Sequence, residues 1–164
     1  MKLILVRHGE TIENKAGVIQ GQNHGRLTPL GLEQAKLVGL RFKGEKIHKI
    51  YSSNLARCVQ TTREIKRHHP GIPTTYVPEL RERDIGSLTG RKKADVNSST
   101  PAFGAESWGE VRSRVKRFLG EIYEQHENHT VLFSTHKGPI RELIKEITRL
   151  PGDDAVKKFQ GNTA

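Results

Sequence analysis

The sequence predicts an α/β fold, a three-layer α/β/α sandwich around a largely parallel central sheet. Two observations carry this expectation. Short apolar runs alternate along the chain with longer segments whose apolar residues recur at helical spacing. The 164 residues, 34% hydrophobic and 28% charged, are enough for a single domain over residues 1–164 with its own core.

Leu3 to Val6 is a continuous apolar run, as expected of a strand buried on both faces. It ends at Arg7 without a small-residue cleavage site, so it does not read as a leader peptide. A polar, Gly-containing loop follows to Thr28. Thr28 is the expected N-cap of a helix opened by Pro29, with Leu32, Ala35, Val38 and Phe42 on one face and Gly44 as its stop. Lys46 to Ser52 reads as the second strand. The next helix puts Leu55, Cys58, Val59, Thr62 and Ile65 on one face and ends at Pro70-Gly71.

Thr74 to Val77 is a short third strand. Glu79 to Gly104 lacks a period and reads as a long excursion loop with short helical pieces, a type of segment that often carries function. Glu106 to Glu127 is the longest expected helix, its stripe made of Trp108, Val111, Val115, Phe118, Leu119 and Ile122. Thr130 to Ser134 is the fourth strand. Pro139 to Arg149 forms a last helix with Ile140, Leu143, Ile144 and Ile147 on one face, stopped by Pro151.

Composition narrows the function classes. No apolar run approaches the roughly 18 residues of a membrane span, so no membrane partner is expected. One cysteine, Cys58, excludes an internal disulfide framework and suits a reducing, cytoplasmic compartment. The net charge of +10 favours anionic partners. Its densest groups, Arg63–His69, Arg91–Lys93 and Arg112–Arg117, read as solvated surface, and no nucleic-acid motif is present, so nucleic acid is disfavoured as a partner.

In parallel sheets, ligands bind beyond the carboxyl ends of the strands. Three loops should therefore meet: Arg7-His8-Gly9, Ser52-Ser53 and Thr135-His136-Lys137-Gly138. They bring together two histidines and an arginine, with Arg57 one turn into the following helix. The helix after His136 offers free N–H groups at its start. Arginine forks and helix N-termini suit a tetrahedral oxyanion.

The order Arg7-His8-Gly9-Glu10-Thr11 with Asn14 resembles the histidine phosphatase superfamily, which includes the cofactor-dependent phosphoglycerate mutases. Further matches follow in family order: Gln20-Gly21, Leu27-Thr28 with Gly31, Ser52-Ser53 with Leu55, Arg57 and Thr61, Leu80-Arg81-Glu82, Glu106-Ser107, and Ser134-Thr135-His136 with Gly138 and Arg141. Together they span essentially the whole chain. The resemblance implies a phosphoglycerate mutase-like fold and a phosphohistidine formed on His8. Arg7, Arg57 and His136 would surround the phosphoryl oxygens, with Asn14, Gln20, Gly21 and Lys137 completing the phosphate site. Glu82 would be the proton donor and later the base; on the residues alone, Glu79 and Asp84 share its loop. No metal and no cofactor are implied. Cys58 and Trp108 read as core, and His24 as a residue bordering the pocket.

The chain departs from the family pattern at Lys137, where a glycine is common, at Asn23-His24-Gly25-Arg26, and at Thr89. These positions bear on substrate more than on reaction. Asn162-Thr163-Ala164 reads as the entry to a final strand; the sheet edge its absence would leave predicts a homodimer or marginal stability. In the family that the chain resembles, mutases carry a longer insertion between the acid and the Glu-Ser helix, which encloses the substrate and excludes water; here only Arg83 to Ala105 separates Glu82 from Glu106. Hydrolysis of a small phosphorylated metabolite is therefore expected over the alternative, phosphoglycerate mutase activity. A weakly catalytic module binding phospho-ligands or nucleic acid is the alternative from another class.

Overall fold

The computed structural model describes residues 1–148. Four parallel strands form the sheet: β1 (Lys2–Arg7), β2 (Lys49–Ser53), β3 (Thr74–Val77) and β4 (Thr130–Thr135), in the order β1-β4-β2-β3. The helices are α1 (Ile12–Lys15), α2 (Pro29–Phe42), α3 (Ala56–Lys66), α4 (Trp108–Tyr123) and α5 (Lys137–Thr148). Among the described residues, no helix is long and apolar enough to cross a membrane.

The central strand β4 shows how one sequence feeds two cores. Side chains alternate across a strand. Val131 and Phe133 enter the cluster formed with Val115, Phe118 and Ile122 of α4 and Leu143 of α5. Leu132 points the other way, to Ile50, Ile65 of α3 and the α2 residues Val38 and Phe42. In the first core, Tyr51 meets Phe118 edge-on at 5.3 Å and Phe133 at 6.0 Å, a favoured aromatic arrangement. The three expected layers are therefore α2 and α3, the sheet, and α4 and α5.

Local signals set the helix starts. The Thr28 hydroxyl accepts from Gly31 N at 2.9 Å, and Pro29 occupies the first turn of α2. Ser107 and Glu110 form a reciprocal capping box on α4.

Four expectations need correction. Only Val6 of the Leu3–Val6 run is fully buried, because β1 pairs with β4 alone and is an edge strand among the described residues. The buried face of α3 is broader than expected and turned toward Arg57, Thr61 and Glu64, which are buried beside Cys58, Thr62 and Ile65 while Val59 is only half-buried, since α3 is wedged between the sheet and α2. The long helix is shorter than expected, starting at Trp108 and passing into a 3₁₀ turn at Glu124–His126. Ile147 is exposed although it shares the spacing of the α5 stripe. The Pro151 stop and the strand entry at 162–164, with the homodimer inferred from it, lie outside the described residues. The excursion loop holds three short 3₁₀ turns, Pro78–Leu80, Gly86–Leu88 and Lys93–Asp95, as expected of it.

Candidate active site

The carboxyl ends of β1, β2 and β4 do meet. His8 continues the β1–β4 ladder by one bond, its N–H donating to Thr135 O at 3.1 Å. The next residue, Gly9, packs against α2: a Cβ there would lie 2.2 Å from Gly31 O, so no other residue fits without moving the loop that carries His8.

The His8 ring is almost wholly buried, and its Nδ1 lies 2.8 Å from Gly9 O. A carbonyl can only accept, so Nδ1 carries the proton and Nε2 keeps its lone pair. Burial, reinforced by the Arg57 guanidinium, pulls the His8 pKa down to about 3; the Gly9 carbonyl opposes this and Arg7 adds to it. The imidazole is neutral at neutral pH, the form a nucleophile needs.

Arg57 is also buried, and its donors are largely spent on the protein. Nε donates to His136 Nδ1 at 3.2 Å, Nη2 to Gly21 O at 2.9 Å, and Nη1 to the carbonyls of Asn23 and His24. The guanidinium thus fixes the 21–24 loop and His136 while its charge faces the cavity. Burial lowers the pKa of both Arg57 and Arg7, and Glu82 is among the charges opposing this.

His136 stands 5.1 Å from the His8 ring, centre to centre. It is fully buried and does not line the cavity. With Nδ1 accepting from Arg57, the proton sits on Nε2, which meets Ser53 Oγ at 2.9 Å. Both ring nitrogens of His136 thus have protein partners, Arg57 and Ser53, beside His8. Its pKa is held well below the usual histidine range by burial and then by Arg57 and His8.

Two buried neutral histidines have a consequence for stability. An unfolded histidine protonates near 6.5, whereas His8 in the fold does so near 3. Below pH 6.5 the unfolded chain binds protons that the folded chain does not, so this stability is complete above that value and declines toward pH 3. Denaturant midpoints are expected to fall between pH 7 and pH 4, and His136→Gln to flatten the slope; an unchanged slope would contradict this.

Glu82 enters from the excursion loop. Its carboxylate accepts from Arg83 N at 2.9 Å and from Gly138 N at 3.4 Å. A Cβ on Gly138 would sit 2.2 Å from Glu82 Oε1, so glycine makes the room that the carboxylate occupies.

A cavity of about 400 Å³ opens over these groups. Arg7, His8, Asn14, Gln20, Gly21, Arg57, Glu82 and Lys137 all line it, which unites the expected site residues other than His136. Asn14 Oδ1 is committed to Thr11 N at 3.2 Å, so its amide donor is what it can offer an oxyanion. His24 does not line the cavity; its Nδ1 accepts from Ala56 N at 3.3 Å. Cys58 is fully buried, 3.4 Å from His136 Nε2, with burial pushing its thiol pKa up to about 12. It is inert packing, as expected.

Trp108 is a correction. It is 39% exposed and forms part of the cavity wall. The Arg141 guanidinium carbon lies 3.8 Å from its ring centre and that of Arg83 lies 4.8 Å away. Arg83, Lys93, Trp108 and Arg141 are cavity residues to which the sequence reading gave no site role. Arg141 stood in the last signature; the others carried no signal of their own.

Among the described residues, no group of three or more His, Cys, Asp or Glu side chains is arranged to hold a metal ion. The profile of the histidine phosphatase superfamily (branch 1) matches residues 3–164. The chain is 34% identical over 164 residues to the metal-independent phosphoserine phosphatase of Arabidopsis thaliana, covering 90% of this chain and 69% of that protein. It is 32% identical to phosphoserine phosphatase 1 of Hydrogenobacter thermophilus, covering 87% of this chain and 74% of the relative. The crystal structure of an Entamoeba histolytica phosphoserine phosphatase mutant with phosphoserine superposes with a TM-score of 0.83 at 28% identity, covering 98% of this chain and 86% of the other. Fold, motif order and these likenesses agree: the chain belongs to the histidine phosphatase superfamily, branch 1.

Proposed function

We propose that this protein is a metal-independent phosphomonoesterase that works through a phosphohistidine on His8. The observation that carries the reading is the state of His8: neutral, held by Gly9 O through Nδ1, and facing a cavity walled by Arg7 and Arg57. Nε2 attacks phosphorus and the bond to the leaving oxygen breaks. Arg7 and Arg57 hold the equatorial oxygens as charge spreads over them. Glu82 gives its proton to the departing alkoxide. It then takes a proton from the water that attacks the phosphohistidine, and inorganic phosphate leaves. His136 keeps Arg57 and His8 in place. The arginines supply the positive charge at the phosphate.

The substrate class follows from the charge of the cavity. Six cations line it, Arg7, Arg57, Arg83, Lys93, Lys137 and Arg141, against the single carboxylate of Glu82. A phosphomonoester dianion balances two of them, and Glu82 enters the first step protonated. The remainder favours a leaving group with an anion of its own. Phosphoserine and 3-phosphoglyceric acid, bound in crystal structures of the Entamoeba relative, are of this kind. Arg141, seated on Trp108 and paired through Nε with Glu142 Oε1 at 3.1 Å, is the cation that this reading assigns to the second anion. A cytoplasmic location, suited to the unpaired Cys58, belongs to the same reading.

The test is phosphate release in excess EDTA from a panel of matched esters. Phosphoserine is expected to exceed phosphoethanolamine in kcat/KM. Arg141→Gln is expected to raise KM for phosphoserine roughly 10-fold, the scale of one charge-assisted hydrogen bond, and to leave p-nitrophenyl phosphate nearly unchanged. Equal loss on both esters would remove Arg141 from substrate recognition. No turnover of any ester would overturn the hydrolase reading itself.

A further inference from the structure

The proton donor of the proposed reaction lies on a stretch without regular structure. Beyond the 3₁₀ turn at Pro78–Leu80, neither helix nor strand fixes where residues 81–84 run. A carboxylate that must reach the leaving oxygen cannot be left to a wandering loop, because displacement of about 1 Å is enough to cost 10²-fold in rate.

Arg114 of α4 grips this stretch at both ends. Its Nη1 donates to Glu79 O, and its Nη2 to Glu82 O at 3.2 Å. The same guanidinium forms a two-pronged pair with Glu106, Nε to Oε1 at 2.7 Å and Nη2 to Oε2 at 3.0 Å. Glu106 extends the grip along the loop: its Oε2 accepts from Asp84 N at 3.3 Å, and its own N–H donates to Asp84 O at 2.9 Å. Both side chains are largely buried, with exposures of 15% and 16%. Other anchors act beside them, Thr135 on Leu80 O and Gln22 on Glu82 O. Arg114 and Glu106 nonetheless bracket Glu82 on both sides, from the second turn of α4 and from the residue before its Ser107 cap.

We infer that Arg114, locked by Glu106, is the positioning residue for the proton donor Glu82, and so sets how well the enzyme expels a poor leaving group. The inference rests on the proposed hydrolase chemistry. It assigns Arg114 no contact with substrate. A planar fork is needed, since one guanidinium serves two carbonyls and a carboxylate at once; an ammonium can satisfy only part of that set.

The test separates positioning from general structural support through the leaving group. A p-nitrophenolate leaves without protonation, whereas an alkoxide needs the proton. kcat/KM reports the phosphorylation step, and the ratio between two esters does not depend on the fraction of folded enzyme. Arg114→Met, Arg114→Lys and Glu106→Gln are compared with Glu82→Gln on phosphoserine and p-nitrophenyl phosphate. Glu82→Gln is expected to reduce the alkyl-to-aryl ratio strongly. Arg114→Met is expected to reduce it roughly 10- to 100-fold, a part of the roughly 10²–10⁴-fold that general acid catalysis supplies, with Glu106→Gln following it and Arg114→Lys restoring part.

An alkyl-to-aryl ratio unchanged in the Arg114 and Glu106 variants, with Glu82→Gln discriminating, would overturn this inference and leave the hydrolase reading intact. A ratio unchanged in Glu82→Gln as well would instead remove Glu82 from the acid role.

Discussion

His8→Ala is expected to lose turnover of p-nitrophenyl phosphate by at least roughly 10⁴-fold in kcat, the scale on which removal of a covalent nucleophile acts. The imidazole is neutral, its Nδ1 is bonded to Gly9 O, Nε2 keeps its lone pair, and the residue lines the cavity. No other side chain in the cavity is offered as the nucleophile: Glu82 serves as acid and base, and both ring nitrogens of His136 are engaged by Arg57 and Ser53. The arginines are untouched by the change, so inorganic phosphate should still bind. Calorimetric titration with phosphate and steady-state turnover in EDTA, done side by side, check both halves. Retained turnover in the variant would remove His8 from the mechanism.

Arg57→Lys is the second large effect. Four hydrogen bonds leave this one guanidinium, three to the carbonyls of Gly21, Asn23 and His24 and one to His136. Lysine keeps the charge but cannot make that planar set. The loss of a pre-set donor at the transferring phosphoryl group should cost about 10²–10³ in kcat. The orphaned buried carbonyls should cost roughly 1–3 kcal/mol of stability each where water cannot reach them. Both are measured on one sample, by kcat and by denaturant unfolding. A fully active and equally stable Arg57→Lys would show that charge alone suffices there.

The extent to which the chain announces this site differs from residue to residue, for physical reasons. Strand–helix alternation is a local property, and it placed Arg7, His8 and the Thr135–Gly138 loop at one sheet edge. Arg57 was legible because it follows a strand by one turn. The role of Trp108 was not. It precedes Val111, Val115, Phe118 and Ile122 at helical spacing, and periodicity cannot report that the first residue of α4 projects into the cavity. The full burial of His136 and its bond to Arg57 were equally hidden, since a histidine after a strand end reads the same whether it is exposed or buried. Arg114 sat inside a basic run that reads as a solvated face, and only the fold of the 79–84 stretch against α4 reveals its partners. Half-burial of β1 depends on its place in the sheet order, which no run of apolar residues encodes.

The central claim is a covalent phosphoryl group on His8. The direct measurement is to mix enzyme with a slight excess of p-nitrophenyl phosphate in EDTA, quench in alkali within milliseconds to seconds, and read the intact mass and the modified peptide. Phosphohistidine survives alkali and is lost in acid. The account predicts one added phosphoryl group, acid-labile, on the peptide carrying His8, and none in His8→Ala. Turnover with no trapped adduct at any quench time, or an acid-stable adduct on another residue, would contradict it.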